Sequence, residues 1–429
     1  MSDFTELFAD LFAMVGAARL PEKGKAPDEI MRLLQEARTM DVDWRGGKVA
    51  AYVFFAGDDI LQLSKQAFME YFSENALDPT AFPSLGRFEA EVVGMVGKLL
   101  HCEQAAGNVS SGGTESILLA VKTARDLARA NRPEVRAPEI VMPETAHAAY
   151  NKAAYYFDLK PVRTPLGSDL RPDMEALRAA VTDNTVLIVG SAPEYSYGMI
   201  DPIQEMGEIA LERGICFHVD CCMGGFMLPF MAKLGYPVPP FDFNVPGVTS
   251  ISADIHKYGY AAKGASAILY RDPSFFLQQI THFDGWPSGF YLSPTIAGTR
   301  PGGPLAAAWA VMNYLGEDGY LKLAERTMKV TRALMDGISS IPGLEIVGKP
   351  DMSLFSYTSR SLDIYAVADE MERRGWWVSR LKEPHAIHLT VTPAHEAPMQ
   401  DYLRDLAEST QLVAEGKATR QSGRGRWYS

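Results

Sequence analysis

A chain of 429 residues, 47% hydrophobic and 22% charged, has the composition of a globular protein with room for roughly two to three domains of ~150 residues. Its 53 acidic against 41 basic side chains give a formal net charge of −12, which argues against nucleic acid or an anionic membrane as the main partner. The four cysteines, Cys102, Cys216, Cys221 and Cys222, form no C-x-x-C pair and no His cluster has zinc spacing, so no metal site is expected and a reducing cytoplasm fits best.

The N-terminus, Met1 to Glu6, is acidic and does not read as a signal peptide. The apolar stretches fall short of ~20 residues, so no membrane span is expected. Residues 1–55 read as a helical segment, with Ile30, Leu33, Leu34 and Ala37 at helical spacing. From about 58 to 101 the pattern is again helical, broken at Asp78-Pro79 and Phe82-Pro83. From Gly107 short apolar runs alternate with helices. Strands are expected at 140–142, 185–189, 215–219, 248–252 and 265–270, with helices at 174–180 and 203–213. Such nearly all-apolar strands imply an α/β fold with a mostly parallel sheet covered on both faces. Ligands in these sheets bind beyond the carboxyl ends of the strands. This large domain is expected to span residues 56–304. After Pro301-Gly302-Gly303-Pro304, helices at 305–315 and 321–338 lead into strands at 344–347 and 388–391 and helices at 364–374 and 399–411. Residues 305–429 therefore read as a smaller C-terminal α+β domain. Its basic tail, Lys417 to Arg426, reads as a short solvated segment.

Four groups of residues carry chemistry. Ser111, Gly112, Gly113 and Thr114 open a helix. Its unpaired N–H groups suit a phosphate, although a glycine turn with a Ser/Thr cap has the same sequence. His147 follows a strand, where an imidazole can stack on a flat ring or simply pack in the core. Asp220 ends an apolar strand, where a carboxylate needs a partner or else caps the next turn. Gly224-Gly225 after it suggests close backbone approach. Lys257 follows Asp254 and His256 at the end of the next strand. A desolvated lysine there has a depressed pKa and can form Schiff bases. A lysine for the Schiff base and a carboxylate for the ring nitrogen are what pyridoxal 5′-phosphate (PLP) requires. Lys263, six residues on, can reach an anion or lie on the surface.

In this order the residues resemble the group II PLP-dependent decarboxylase family of fold type I, and within it the sphingosine-1-phosphate lyase branch. The pattern runs through Asn75 to Pro83, Met95, Ser110 to Ala120, His218 to Asp220 with Gly224 to Phe226, Ser252 to Gly264, Tyr291 to Gly302 and Ile387 to His395. The resemblance implies a PLP transferase-like large domain. It makes Lys257 the Schiff-base lysine, Asp220 the partner of the pyridine nitrogen and His147 the stacking ring. Gly113, Thr114 and His256 would hold the cofactor phosphate, with Ser111 and Asp254 nearby. Asn75, Tyr197 and Lys263 would meet substrate. Phe54 and Asp78 align where the lyase branch has a tyrosine and a histidine for the substrate phosphate; Phe54 lacks the hydroxyl, and Asp78 adds negative charge. The implied protein is a cytoplasmic homodimer with shared active sites. It would cleave the Cα–Cβ bond of a β-hydroxy amine, such as a phosphorylated sphingoid base, to aldehyde and amine. The alternatives are an L-amino-acid decarboxylase, with Lys263 or Arg300 holding the substrate carboxylate, and an inactive scaffold of the same fold.

Overall fold

A computed structural model describes residues 9–418 and 420, so most of the basic tail lies outside the described residues. Contacts divide the chain into two units that meet between Asp43 and Trp44. The first holds helices α1 (Ala9–Ala17) and α2 (Pro27–Ala37). The helical spacing in α2 is as expected, but Ile30, Met31, Leu33 and Leu34 are exposed and no α2 side chain is buried.

The second unit, from Trp44, holds the chemistry. It opens with α3 (Asp58–Glu70) and α4 (Pro83–Leu99). Proline at the first turn of α4 fits a position whose N–H has no helical partner. Then come β1 (Ala106–Ser110), α5 (Gly113–Asn131), β2 (Glu139–Pro143), α6 (Ala149–Phe157), β3 (Lys160–Thr164), α7 (Met174–Ala180), β4 (Thr185–Ser191), α8 (Ile203–Arg213), β5 (Cys216–Asp220), α9 (Leu228–Lys233), β6 (Ser250–Ala253), β7 (Ser266–Tyr270) and α10 (Pro273–Gln279). The seven strands lie in the order β1-β7-β6-β5-β4-β2-β3. All neighbours from β6 to β3 are parallel, and β7 runs antiparallel to β6 and β1. β2, β4, β5 and β6 are buried at every residue, the pattern of strands covered on both faces.

A hairpin, β8 (Thr281–Trp286) and β9 (Gly289–Ser293), leads to α11 (Gly302–Ser339). As the sequence spacing suggests, α11 is two helical stretches that meet at Gly316, whose backbone (φ 53°, ψ −171°) leaves the helical region. The C-terminal part adds an antiparallel sheet of β10 (Glu345–Ile346), β11 (Leu354–Thr358), β12 (Ser379–Leu381) and β13 (Ala386–Thr390), ordered β10-β11-β13-β12. Helices α12 (Ile364–Arg373) and α13 (Met399–Ala414) complete it. Phe355, Tyr357, Ile387 and Leu389 of this sheet form a core with Leu334, Val367 and Leu406. Among the described residues no helix is long and apolar enough to cross a membrane.

Candidate active site

The parallel strands bring the functional residues to one end of the sheet. Asp220 is the last residue of β5, and its register partner on β6 is Ser252, two residues before Asp254. The turn after β6 delivers Asp254, His256 and Lys257. α5 begins beside them. A Cβ added at Gly113 would lie 2.8 Å from both Asp254 Oδ2 and Cys222 Sγ, so only glycine lets the helix start sit this close. Gly224 and Gly225 do the same for the loop after β5, where added Cβ atoms would lie 2.0 Å from Ala192 O and 2.7 Å from Ala253 Cβ.

The start of α5 carries no side-chain cap. That removes the capping reading of Ser111 and Thr114, and both side chains are exposed at the helix mouth. Glu115 fixes the turn from below: its carboxylate accepts Ser111 N (2.7 Å) and Ile296 N (2.8 Å). His256 lies against the same turn, with its Cε1 3.4 Å from the Cβ position of Gly112; its Nδ1 accepts Ala265 N at 3.2 Å. Burial pushes the His256 imidazole down to about 4 despite Asp254.

Lys257 Nζ lies 2.9 Å from Asp254 Oδ2. This reverses the expectation of a depressed lysine: burial pulls its pKa down, but the nearby negative groups, chiefly Asp254, outweigh burial and raise it. Asp254 itself is lowered, because Lys257 and His256 overcome its own burial. Its Oδ1 is buried without a hydrogen-bond partner. Asp220 Oδ1 accepts Cys222 N (3.0 Å) and the Ser252 hydroxyl (3.4 Å). His147, half-buried, accepts Ala149 N on Nδ1 (3.1 Å). Burial lowers its pKa, and Asp220, Lys257 and Asp254 all act on it electrostatically, so the four share one space.

The substrate candidates divide. Lys263 Nζ donates to His256 O (3.0 Å) and stands 4.9 Å over the Phe54 ring, a cation–π contact. The residue is solvent-accessible, yet enough protein crowds its ammonium to bring its pKa down to about 8, with Lys257 adding to the effect. Phe54 packs edge-on against Tyr258, 4.9 Å between ring centroids. Asn75 clamps backbone, its Oδ1 accepting Leu77 N (3.0 Å) and Arg300 N (3.1 Å). Asp78 is exposed and closes its own turn on Thr80, through N (2.8 Å) and Oγ1 (2.6 Å). Tyr197 donates to Glu383 O at 2.5 Å, and burial with Glu194 pushes its phenol up to about 12.

Arg300 is not free for a substrate carboxylate. Its guanidinium holds both oxygens of Glu89 and donates to Ala76 O (2.7 Å) and Val109 O (3.3 Å). Sequence spacing gave no hint of this pair, because its members are 211 residues apart. It also missed Glu115, a carboxylate in an otherwise apolar helix face.

The site suits PLP on its own geometry. It offers a glycine cradle with free helix N–H groups for phosphate, a lysine for the aldehyde, a carboxylate for the ring nitrogen and a buried unpaired oxygen on Asp254. Fold and site together define a fold type I PLP enzyme. The comparisons agree. Residues 20–360 match the pyridoxal-dependent decarboxylase conserved domain. A sphingosine-1-phosphate lyase of Arabidopsis thaliana is 45% identical over 403 residues, covering 92% of this chain and 74% of that protein. A probable L-tyrosine/L-aspartate decarboxylase of Methanothermobacter thermautotrophicus is 37% identical over 345 residues, covering 80% of this chain and 93% of the other. The solved structure of a Burkholderia pseudomallei sphingosine-1-phosphate lyase superposes with a TM-score of 0.90 at 37% identity, covering 93% and 94% of the two chains. The chain belongs to the pyridoxal-dependent decarboxylase family and, within it, to the sphingosine-1-phosphate lyase group.

Proposed function

We propose that the protein is a PLP-dependent aldehyde-lyase that cleaves the Cα–Cβ bond of a phosphorylated long-chain β-hydroxy amine, releasing a long-chain aldehyde and a phosphorylated amine. The observation that carries the reading is the match to named sphingosine-1-phosphate lyases at 36–45% identity over most of the chain. The site chemistry is consistent with it. When bound, PLP supplies an electron sink for the carbanion left at Cα. Lys257 is the amine that would attach the cofactor, and the Asp254 carboxylate holds it in place through their ion pair. Asp220 holds the ring nitrogen. His147 and the start of α5 bound the cofactor's face and phosphate. Lys263 is the cation for the substrate's phosphate. Tyr197, bonded to Glu383 O and with a raised phenol, is a poor base in this arrangement, and Lys257 keeps its own proton beside Asp254, which favours neutral His256 for taking the β-hydroxyl proton.

A decarboxylase needs a cation for the substrate carboxylate. Arg300 is engaged by Glu89 and backbone carbonyls, and Lys263 remains. Mass spectrometry of products from phosphorylated and unphosphorylated amino alcohols and from common amino acids tests the reading. The expected product is aldehyde from a phosphorylated amino alcohol; carbon dioxide from an amino acid sinks it. An inactive scaffold would lack lysine-bound PLP absorbance.

A cytoplasmic homodimer is part of the same proposal. Hairpin β8–β9 is exposed on nearly every residue, with Phe283, Trp286, Phe290 and Leu292 among them. A two-stranded hairpin is marginal alone, and an apolar patch of this kind marks an interface. The hairpin continues to Ile296, which Glu115 ties to the phosphate turn. Trp286→Ser with Phe290→Ser is expected to yield monomer by light scattering; an unchanged dimer removes the hairpin from the interface.

A further inference from the structure

β5 carries His218 two residues before Asp220, so both point to one face of the sheet. The parallel register with β6 sets Ser250 beside His218 and Ser252 beside Asp220. His218 is fully buried. Its Nδ1 lies 2.8 Å from Ser250 Oγ and its Nε2 3.2 Å from Ser252 Oγ. Ser252 Oγ in turn lies 3.4 Å from Asp220 Oδ1 and accepts the Cys222 thiol at 3.3 Å. The chain of contacts therefore runs from a buried imidazole to the carboxylate that holds the cofactor ring.

We propose that His218 is a positioning residue for Asp220: held as its Nε2–H tautomer by Ser250, it turns the Ser252 hydroxyl proton onto Asp220 Oδ1 and leaves Oδ2 for the ring nitrogen of PLP.

Burial pushes the His218 imidazole down to about 4, so at neutral pH it carries one N–H and one lone pair. Ser252 has one proton and three neighbours. With Nε2–H and the Cys222 thiol both donating to its oxygen, that proton has Asp220 as its acceptor. In the other tautomer the Nε2 lone pair competes with Asp220 for the same proton, and Oδ1 keeps the Cys222 N–H without the Ser252 hydroxyl. The 2.8 Å contact at Nδ1 is the shorter of the two, as expected when the Ser250 hydroxyl donates there. Two bonds on Oδ1 fix the rotation of the Asp220 carboxylate and leave Oδ2 for the ring nitrogen. Tyr150, fully buried with its ring centroid 6.2 Å from that of His218, closes this polar pocket within the apolar sheet face.

The inference rests on the cofactor reading, and the test separates the two. The full chain is reconstituted with PLP labelled with nitrogen-15 in the ring, and the ring-nitrogen shift, the PLP dissociation constant and the melting temperature are measured. Ser252→Ala and His218→Leu are expected to move the nitrogen toward its unprotonated shift and raise the dissociation constant about tenfold, the size of one charge-assisted hydrogen bond. His218→Gln, which keeps a donor at similar reach, is expected to recover part of both. An unchanged nitrogen shift and affinity in Ser252→Ala overturn the proposal, even if stability falls. Should His218→Leu not fold, Ser252→Ala decides alone. Failure of the unaltered chain to bind PLP would instead overturn the cofactor reading.

Discussion

Gly113→Ala is the sharpest test of the cofactor cradle. The added methyl would lie 2.8 Å from Cys222 Sγ, 2.8 Å from Asp254 Oδ2 and 3.0 Å from Asp254 Oδ1. Heavy atoms prefer about 3.5–4.0 Å, so the overlap is about 1 Å. Neither neighbour can swing away: Asp254 is held by Lys257 at 2.9 Å and is 1% exposed, and Cys222 is buried and bonded to Ser252. Overpacking of this kind costs about 1–3 kcal/mol. Helix propensity works the other way, since alanine is favoured over glycine by up to about 1 kcal/mol. The net expectation is a loss of up to about 2 kcal/mol, relieved by moving the start of α5 away from the site. Because the cradle moves, PLP affinity should fall about 10- to 100-fold, at 1.4 kcal/mol per tenfold. Titration of the apo-protein with PLP, followed by absorbance and by melting temperature, measures both. Gly94→Ala is the control: it lies within α4 with nothing within 4 Å of its Cβ position, and it should stabilise slightly with unchanged affinity. If Gly113→Ala behaves like Gly94→Ala, the close approach is not what holds the phosphate turn.

Three other outcomes are expected. Lys263, with a pKa near 8, should bind a substrate phosphate well at pH 7 and poorly at pH 9. KM for a phosphorylated substrate should rise about tenfold over that range, and Lys263→Ala should raise KM and remove the dependence without changing PLP affinity. Glu194, 2% exposed, has its carboxyl pushed up from 4.5 to about 7 by burial, against the backbone N–H groups of residues 196–199 that favour its charge. The folded state then binds the proton more tightly than the unfolded chain, so stability is full below about pH 4.5 and declines as pH rises to about 7. The loss is on the order of 3 kcal/mol; Glu194→Gln should flatten the profile in urea titrations across that window. Arg300→Met leaves the largely buried Glu89 carboxylate with the Val109 N–H but without its counter-charge, and should destabilise by about 3–5 kcal/mol. Glu89→Gln with Arg300→Met should recover much of that loss; no recovery would mean the pair is not what stabilises the Asn75–Arg300 junction.

Local rules made much of this protein legible. Largely apolar runs announced β2, β4, β5 and β6, because strands covered on both faces carry few polar residues. The polar residues that interrupt them, Asp220 and the Asp254–Lys257 turn, stood out for the same reason, and so did the glycines at 112–113 and 224–225. Edges and surfaces were harder. Period and propensity do not name β1, β3 or the exposed hairpin β8–β9, since their burial depends on neighbours distant in the chain. The break at Gly316 that divides α11 into two helical stretches is legible from the spacing alone.

The tertiary structure decided whatever depends on partners distant in the chain. Sequence made Lys257 a reactive lysine, but only the 2.9 Å approach of Asp254 shows that its charge is favoured. Sequence offered Arg300 as an anion binder, and Glu89, 211 residues away, withdrew it. Lys263 and Phe54, 209 positions apart, became one cation–π pair. The identity of the reactive groups follows from residue type at strand ends. Their protonation and availability follow from electrostatics and hydrogen bonding across the sheet, and those exist only once the chain has folded.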